Sequence, residues 1–245
     1  MNEIYFVDST LRDGHQSLWA TRMTAPMMLS IAPIMDRAGF KCCEVGAAGN
    51  HFVAYMRYLR ENPWEKLRLL VKAMPNTPLF GGVRSGGGWG FDIQPQSVTS
   101  LFIERMAAYG IRRISIFDPL HDFENTAESR RVAKAAGLEV EVPLVFTISP
   151  VHTDEYYAKK AAELAKLNVD VVKIKDSIGL LTPERTRTLV PTILKHIKGL
   201  PVEIHSHCTT GLAPLCYLEA IKLGVRTVQT CVSPLANGNS IPSTE

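Results

Sequence analysis

Eight short apolar runs alternating with seven amphipathic stretches predict an α/β fold, a closed TIM-type (β/α)8 barrel of parallel strands. Two further observations favour closure over an open doubly wound sheet. Polar candidates for a site end nearly every run, and no GxGxxG follows the first one. At 245 residues with 46% apolar composition, the chain falls in the size range of one barrel domain, 1–245.

The expected strands are residues 4–8, 41–45, 68–73, 113–117, 140–147, 171–175, 202–205 and 227–231. Between them, residues 24–39, 51–61, 95–109, 122–136, 152–167, 182–196 and 211–223 repeat apolar residues every three or four positions, the signature of a helix with one buried face. Helix starts are marked by Thr182-Pro183-Glu184, a capping hydroxyl before a proline, and by Thr153-Asp154-Glu155, which brings acids to a first turn. Gly39, Gly110, Gly137 and Gly224 end four helices. Residues 75–95, containing GGVRSGGGWG, read as one long loop that carries Arg84 beside the barrel mouth. No helical pattern follows the eighth strand. The expectation is a closing helix supplied by another chain or a longer parent protein, and an apolar seam beside strands one and eight that something covers.

A formal charge of +3 with basic residues spread over the helices argues against nucleic acid or an anionic membrane. The five cysteines, Cys42, Cys43, Cys208, Cys216 and Cys231, form no CxxC pair and lie mostly in apolar segments, which suits reduced, buried thiols. No basic-then-apolar leader opens the chain, and no apolar stretch is long enough to span a bilayer. A cytoplasmic protein without membrane insertion is expected.

Chemistry on a barrel collects at the C-terminal ends of strands. In order, those ends carry Asp8 and Asp13, Glu44, Arg84, Asp118, Lys175 with Asp176, and His205 with His207. The run VEIHSHCTTG is the most telling. A strand repeats every two residues, so His205 and His207 share one face while Val202 and Ile204 take the other, and Cys208 turns away from both histidines. Two imidazoles side by side with Asp13 make a site for a divalent ion such as zinc, cobalt or manganese. Lys175 in the mouth must find partners or lose its charge. It could pair with Asp176 or Asp8, act as an amine nucleophile, or become a carbamate that ligates metal through oxygen. Arg84 and Arg12 are candidate clamps for an anionic substrate, with Arg12 also placed to brace nearby acids.

Seven blocks together are far more specific than the HxH pair: DSTLRDGHQSLWATRM, ENPWEKLRLLVKAMPNTPL, IFDPLHD, SPVHTDEYY, IKDSIGLLTP, HSHCTTGLA and SPLANGNSIPSTE. In this order they resemble the carboxyltransferase domain of biotin-dependent carboxylases: pyruvate carboxylase, the oxaloacetate decarboxylase alpha subunit and the methylmalonyl-CoA–pyruvate transcarboxylase group. The resemblance implies an ion held by Asp13, a carboxylated Lys175, His205 and His207. It places Arg12 and Gln16 beside the ion and Arg84 on the carboxylate of a 2-oxo acid. It further implies biotin as an external carboxyl carrier, with a biotin carboxyl carrier, a biotin carboxylase and a second carboxyltransferase segment as partners in an oligomer.

Some features depart from the pattern. Relatives commonly carry an acid where Cys208 stands, and a tryptophan and methionine where this chain has CCEVGAAG. Their arginine motif is less glycine-rich than GGVRSGG, and they extend into a helical region bearing a threonine for proton transfer with biotin. No Met-Lys-Met biotin-acceptor sequence occurs in the 245 residues. Metal-dependent carboxyl transfer between carboxybiotin and a small carboxylate is therefore the expected function. The alternatives are a metal-dependent aldolase or lyase of the HMG-CoA lyase-like group, which lacks the carboxylated lysine, and a non-catalytic scaffold subunit of a carboxylase complex.

Overall fold

The computed structural model describes residues 3–47, 50–86 and 92–245. Eight parallel strands close into a barrel in sequence order. They are β1 (Tyr5–Asp8), β2 (Cys42–Ala47), β3 (Leu79–Arg84), β4 (Arg113–Phe117), β5 (Glu139–Val145), β6 (Val171–Asp176), β7 (Val202–Ser206) and β8 (Thr227–Thr230). Closure is the β1–β8 pairing, with Tyr5 opposite Thr227 and Asp8 opposite Thr230.

The α-helices are α1 (His15–Trp19), α2 (Ala25–Met35), α3 (Asn50–Ala54), α4 (Pro63–Ala73), α5 (Gln96–Ala108), α6 (Ala127–Ala135), α7 (Asp154–Leu164), α8 (Pro183–His196) and α9 (Ala213–Lys222). The expected caps form: Thr182 Oγ1 accepts from the Arg185 amide at 3.1 Å, and Thr153 Oγ1 from that of Tyr156 at 3.3 Å. Gly110 follows α5 at a φ of +101°, and a Cβ there would fall 2.7 Å from Val71, so glycine is required twice over.

The third strand is not where the apolar run at 68–73 suggested. That run is the second half of α4. Asn62 caps it by accepting from the amides of Trp64 and Glu65, Pro63 fills the first helical position, and Leu67 and Leu70 face the core one turn apart. Glu65 and Arg68 add an ion pair on the outer face, at 2.6 Å. The true strand, LFGGVR, lay inside the segment read as a loop because Gly81 and Gly82 masked it. A Cβ on Gly81 would sit 2.4 Å from Met106 Cε and 2.8 Å from the Gly46 carbonyl, so the glycine lets β3 and its neighbours close up. This puts Arg84 on a strand end rather than in a connector. Residues 87–91, the rest of the glycine cluster, lie outside the described residues.

The main core lies between barrel and helices. Ile114, Ile116, Val140, Val142, Val172, Ile174 and Ile204 face outward against Leu67, Ile103, Leu189 and Ile193. With those apolar residues outside, the alternate positions point into the barrel, and many are charged. Arg113, Glu141, Lys173 and Glu203 fill its N-terminal part, all at most 1% exposed. No helix follows β8 among the described residues. There, Trp19, Met27 and Ile34 are exposed along a groove continued by Ile31, Pro234 and Leu235, in the place of the expected seam. All five cysteines are free and buried. No helix among the described residues is long and apolar enough to cross a membrane.

Candidate active site

A cavity of about 250 Å³ opens at the C-terminal end of the barrel, lined by Arg12, Asp13, Gln16, Glu44, His51, Arg84, Ser115, Phe117, Lys175 and His207 among others. The first element to shape it is a π-helical turn, Thr10–Gly14, directly after β1. Gly14 lets this turn lie against the segment beyond β8, since a Cβ there would fall 2.8 Å from the Leu235 carbonyl. The turn carries Arg12 and Asp13 over the barrel axis. Arg12 bridges two carboxylates, with Nη1 2.8 Å from Asp13 Oδ2 and Nε 2.8 Å from Glu44 Oε1, while Ser9 Oγ donates to the other Glu44 oxygen at 2.9 Å. Burial alone would push the Asp13 pKa up. The Arg12 guanidinium and the other nearby cations outweigh it and hold the carboxyl well below its usual range.

His205, on β7, and His207, the residue just after it, both face Asp13. Their Nε2 atoms lie 3.8 Å (His205) and 3.4 Å (His207) from the Asp13 oxygens, and all three ligand atoms fall within 4.8 Å of one another. Each ring is oriented by an acceptor behind it: Gln229 Oε1 is 2.8 Å from His205 Nδ1, and the Asn239 carbonyl 2.6 Å from His207 Nδ1. An acceptor behind each ring puts the proton on Nδ1 and aims the Nε2 lone pair at Asp13. Burial, followed by the Lys175 charge, keeps His205 neutral by pulling its pKa well below the ordinary value. Its Nε2 is fully buried without a hydrogen-bond partner. Two lone pairs and a carboxylate repel unless a cation lies between them, so this donor set fits a divalent ion. Cys208 is not part of it; its Sγ lies 3.8 Å from Asn237 Oδ1.

Lys175 projects from β6 into the same cavity, its ammonium 5.7 Å from the centre of the Phe117 ring. Among the described residues it forms no ion pair. Burial, then the charges of Arg12 and Lys173, lower its pKa to about 8. Pairing with Asp176 or Asp8 is ruled out by where those acids point. Asp176 accepts from the amides of Gly179, Leu180 and Leu181 and from Ser206 Oγ, which ties down the β6–α8 loop. Asp8 accepts from Thr10 amide and hydroxyl at 2.9 and 2.7 Å. Asp118 likewise holds its own loop, accepting from the Leu120 amide, and ties it to the residue after β3 by accepting from Ser85 Oγ. Of the strand-end acids, only Asp13 and Glu44 enter the cavity. Arg84 ends β3 at the rim, its guanidinium 6.0 Å from the Phe117 ring centre.

Gln16, on α1, lies at the wall with its Oε1 2.7 Å from His51 Nε2. His51, Tyr55 and His15 form a group that strand-end reasoning did not reach. The His51–Tyr55 spacing of four residues and the adjacency of His15 to Gln16 were the available signals. Gln229, which orients His205, was also overlooked, although it precedes the end of the eighth strand.

The HMGL-like family model matches residues 108–240, more than half of the chain and the part that carries Lys175, His205 and His207. The chain belongs to the HMGL-like family. Among relatives, a pyruvate carboxylase subunit of Methanocaldococcus jannaschii is 43% identical over 242 residues, covering 99% of this chain and 42% of that protein. The methylmalonyl-CoA carboxyltransferase 5S subunit of Propionibacterium freudenreichii subsp. shermanii is 34% identical over 245 residues, covering 99% and 48%. The structure of the carboxyl transferase domain from Rhizobium etli pyruvate carboxylase with pyruvate and biocytin superposes with a TM-score of 0.94 at 31% identity, covering 99% of this chain and 42% of that one. This HMGL-like chain is thus of the carboxyltransferase-domain type found in biotin-dependent carboxylases, and it spans less than half the length of these relatives.

Proposed function

We propose that this HMGL-like barrel transfers a carboxyl group between carboxybiotin and a small carboxylate of the 2-oxo acid type, pyruvate or oxaloacetate, within a larger or split enzyme. The observation that carries the reading is the convergence of two oriented Nε2 lone pairs and the Asp13 carboxylate beside Lys175, below Arg84, in one small cavity. A divalent ion (zinc, cobalt or manganese) held by Asp13, His205 and His207 would supply Lewis acidity toward a ketone oxygen and stabilise the charge that develops there.

The side chains divide the remaining work. Arg84, at the rim, pairs with the substrate carboxylate and sets the distance of the reacting carbon from the ligand cluster. Arg12, spanning Asp13 and Glu44, keeps the Asp13 oxygens pointed at the histidines. Gln16 offers its amide to the substrate from the side wall. Lys175, with a pKa of about 8, has an appreciable fraction of free amine near neutral pH. That nitrogen can bond to the carbon of CO2 and release one proton to solvent, leaving an anionic carbamate whose oxygen would be a fourth donor beside Asp13 and the two histidines.

Biotin serves as the external carrier, and a biotin carboxyl carrier, a biotin carboxylase and a further carboxyltransferase segment complete the enzyme in an oligomeric, cytoplasmic assembly. The exposed apolar groove along α2 and the segment after β8 suits such a contact. The test is the reverse reaction, in which oxaloacetate is the donor, biotin the acceptor and pyruvate formation is followed, with the chain alone and then with candidate partners. Biotin-dependent turnover that rises sharply with partners is expected, and full activity from the chain alone would remove the split reading. Neutral-pH density for three extra atoms on Lys175 is the companion observation. A plain lysine beside a bound metal would shift the assignment to the lyase or to the non-catalytic scaffold reading.

A further inference from the structure

A buried file of side chains stands behind Gln16 and takes no part in the chemistry above. His15, His51 and Tyr55 are at most 2% exposed. The file begins at a group that can only accept: the Leu11 carbonyl oxygen, 3.0 Å from His15 Nε2. That nitrogen must therefore carry a proton, and it cannot accept from the Tyr55 hydroxyl 3.4 Å away. The hydroxyl hydrogen is left with one partner, His51 Nδ1, at 3.2 Å. Once Nδ1 accepts, the neutral His51 ring carries its proton on Nε2, which then donates to Gln16 Oε1 at 2.7 Å. Burial, with the charges of His15 and Arg12 adding to it, holds the His51 pKa well below the ordinary value, so the ring keeps a single proton. Lys66 fixes the Tyr55 ring from below. Its Nζ is 3.4 Å from the ring centre, and it is itself anchored by Glu61 at 2.6 Å and by the Met23 carbonyl at 3.2 Å.

We infer that His51, set by Tyr55 and His15, is a positioning residue that occupies Gln16 Oε1 and turns the two amide N–H donors of Gln16 into the cavity. The direction of every bond in the file follows from the carbonyl at its origin. The wall of the cavity consequently presents donors, which suits a ligand with oxygen acceptors at C1 and C2, as a 2-oxo acid has. A 2-amino acid would bring an ammonium against those donors, and the wall selects against it. The inference rests on the reading of the cavity as a 2-oxo acid site. The positioning itself can be measured without that reading.

The experiment uses the intact protein with 15N-labelled histidine. Long-range 1H–15N spectra report the tautomer of His51, and pyruvate and alanine titrations report affinity. The expected wild-type result is the Nε2–H tautomer, with pyruvate bound and alanine not. Tyr55→Phe removes the donor to Nδ1 and is expected to produce a tautomer mixture, and to weaken pyruvate binding about tenfold, the worth of one buried hydrogen bond. His51→Ala should lose a similar factor. His51→Gln, whose terminal amide nitrogen reaches as far as imidazole Nε2, should recover pyruvate affinity to within about threefold of wild type, as a merely space-filling role would not require. A wild-type Nδ1–H tautomer overturns the inference whatever binds, and it does so even if the variants fail to fold. Unchanged pyruvate affinity in a folded His51→Ala variant also overturns it. A wild-type protein that shows the Nε2–H tautomer but no pyruvate affinity supports the positioning of Gln16 and removes the 2-oxo acid reading instead.

Discussion

On the N-terminal side of the barrel interior, Arg113 grips Glu203 with both terminal nitrogens, at 2.9 and 2.7 Å. The same guanidinium reaches Glu141, which also accepts from Lys173 and from Ser115 Oγ. Two cations face two anions, and every carboxylate oxygen has a partner. One layer toward the mouth, Asp13 and His205 are buried about as deeply and His207 and Lys175 are partly exposed, yet His205 Nε2 has no partner and Lys175 no counter-ion among the described residues. Both layers come from the same strands, since Lys173 and Lys175 share β6, and Glu203 and His205 share β7. The difference teaches how one barrel separates stability from function. The closed layer satisfies its own charges and serves as a floor. The open layer leaves donors and lone pairs facing one point, a cost the fold tolerates because a ligand removes it.

The largest effect should come from breaking the floor. Glu141→Ala strands Lys173 in the barrel and takes from Arg113 one of its two buried carboxylates, and urea unfolding should show a loss of about 3–5 kcal/mol. In the metal-free protein His205→Ala should cost less, because His205 Nε2 already lacks a partner and only the hydrogen bond of Nδ1 to Gln229 is lost. Equal losses in the two variants would erase the distinction between the layers.

Metal content comes next. Protein purified without chelator should hold close to one divalent ion per chain, and the His205→Ala, His207→Ala double variant close to none. Chelation should lower the melting temperature of the wild type, since an ion that binds only the folded state stabilises it by mass action, and should leave the double variant unmoved. Full occupancy in the double variant would show that the open layer is not the metal site.

Arg84→Lys is a smaller perturbation at the rim. It keeps the charge and loses the two-pronged geometry, so pyruvate affinity should fall about tenfold, or 1.4 kcal/mol, with no change in unfolding free energy. An unchanged affinity would make Arg84 a bystander.

The smallest effects are in pH dependence, and the two layers should respond at opposite ends of the scale. Burial opposes the Glu141 charge, but Lys173 and Arg113 outweigh it and hold its pKa below the ordinary value. Its stabilising contribution is therefore complete above the unfolded carboxyl pKa and is lost as the pH falls through the lower folded one. Lys175 runs the other way. Its folded pKa of about 8 lies below the ordinary lysine value of 10.5, so in metal-free, uncarboxylated protein the unfolded chain binds the proton more tightly. Stability should rise as the pH climbs through that window, and acylation of the Lys175 amine should reach half its maximum near pH 8. A Lys175 that titrates with the exposed lysines would mean the open layer is better solvated than its geometry shows.

Much of this contrast was legible in the strands, because alternation is a local rule. HSH placed two imidazoles on one face, and KIK and EIH carried the same information for the floor and the mouth together. The floor still escaped notice, since a charge inside a barrel looks like an error until its partners on three other strands are known. The third strand was hidden for a related reason. Leu69, Leu70 and Val71 are apolar enough for a strand, and what makes them helical is the Asn62 cap and the one-sided burial of Leu67 and Leu70.

What the sequence determined by itself were the properties that depend on neighbours along the chain: the strand–helix alternation, the helix caps, and which residues of a strand share a face. The tertiary structure alone decided which strand-end acids turn inward. Asp8, Asp118 and Asp176 bend back to cap their own loops, while Asp13 rides a turn packed against residues beyond β8, where Thr10 Oγ1 accepts from the Val232 amide 222 positions away. It also decided the proton positions on His51 and His205, because each is set by an acceptor or hydroxyl from another element. A hydrogen bond is directional and short, so its partner can be named only once the barrel has closed and brought distant segments within about 3 Å.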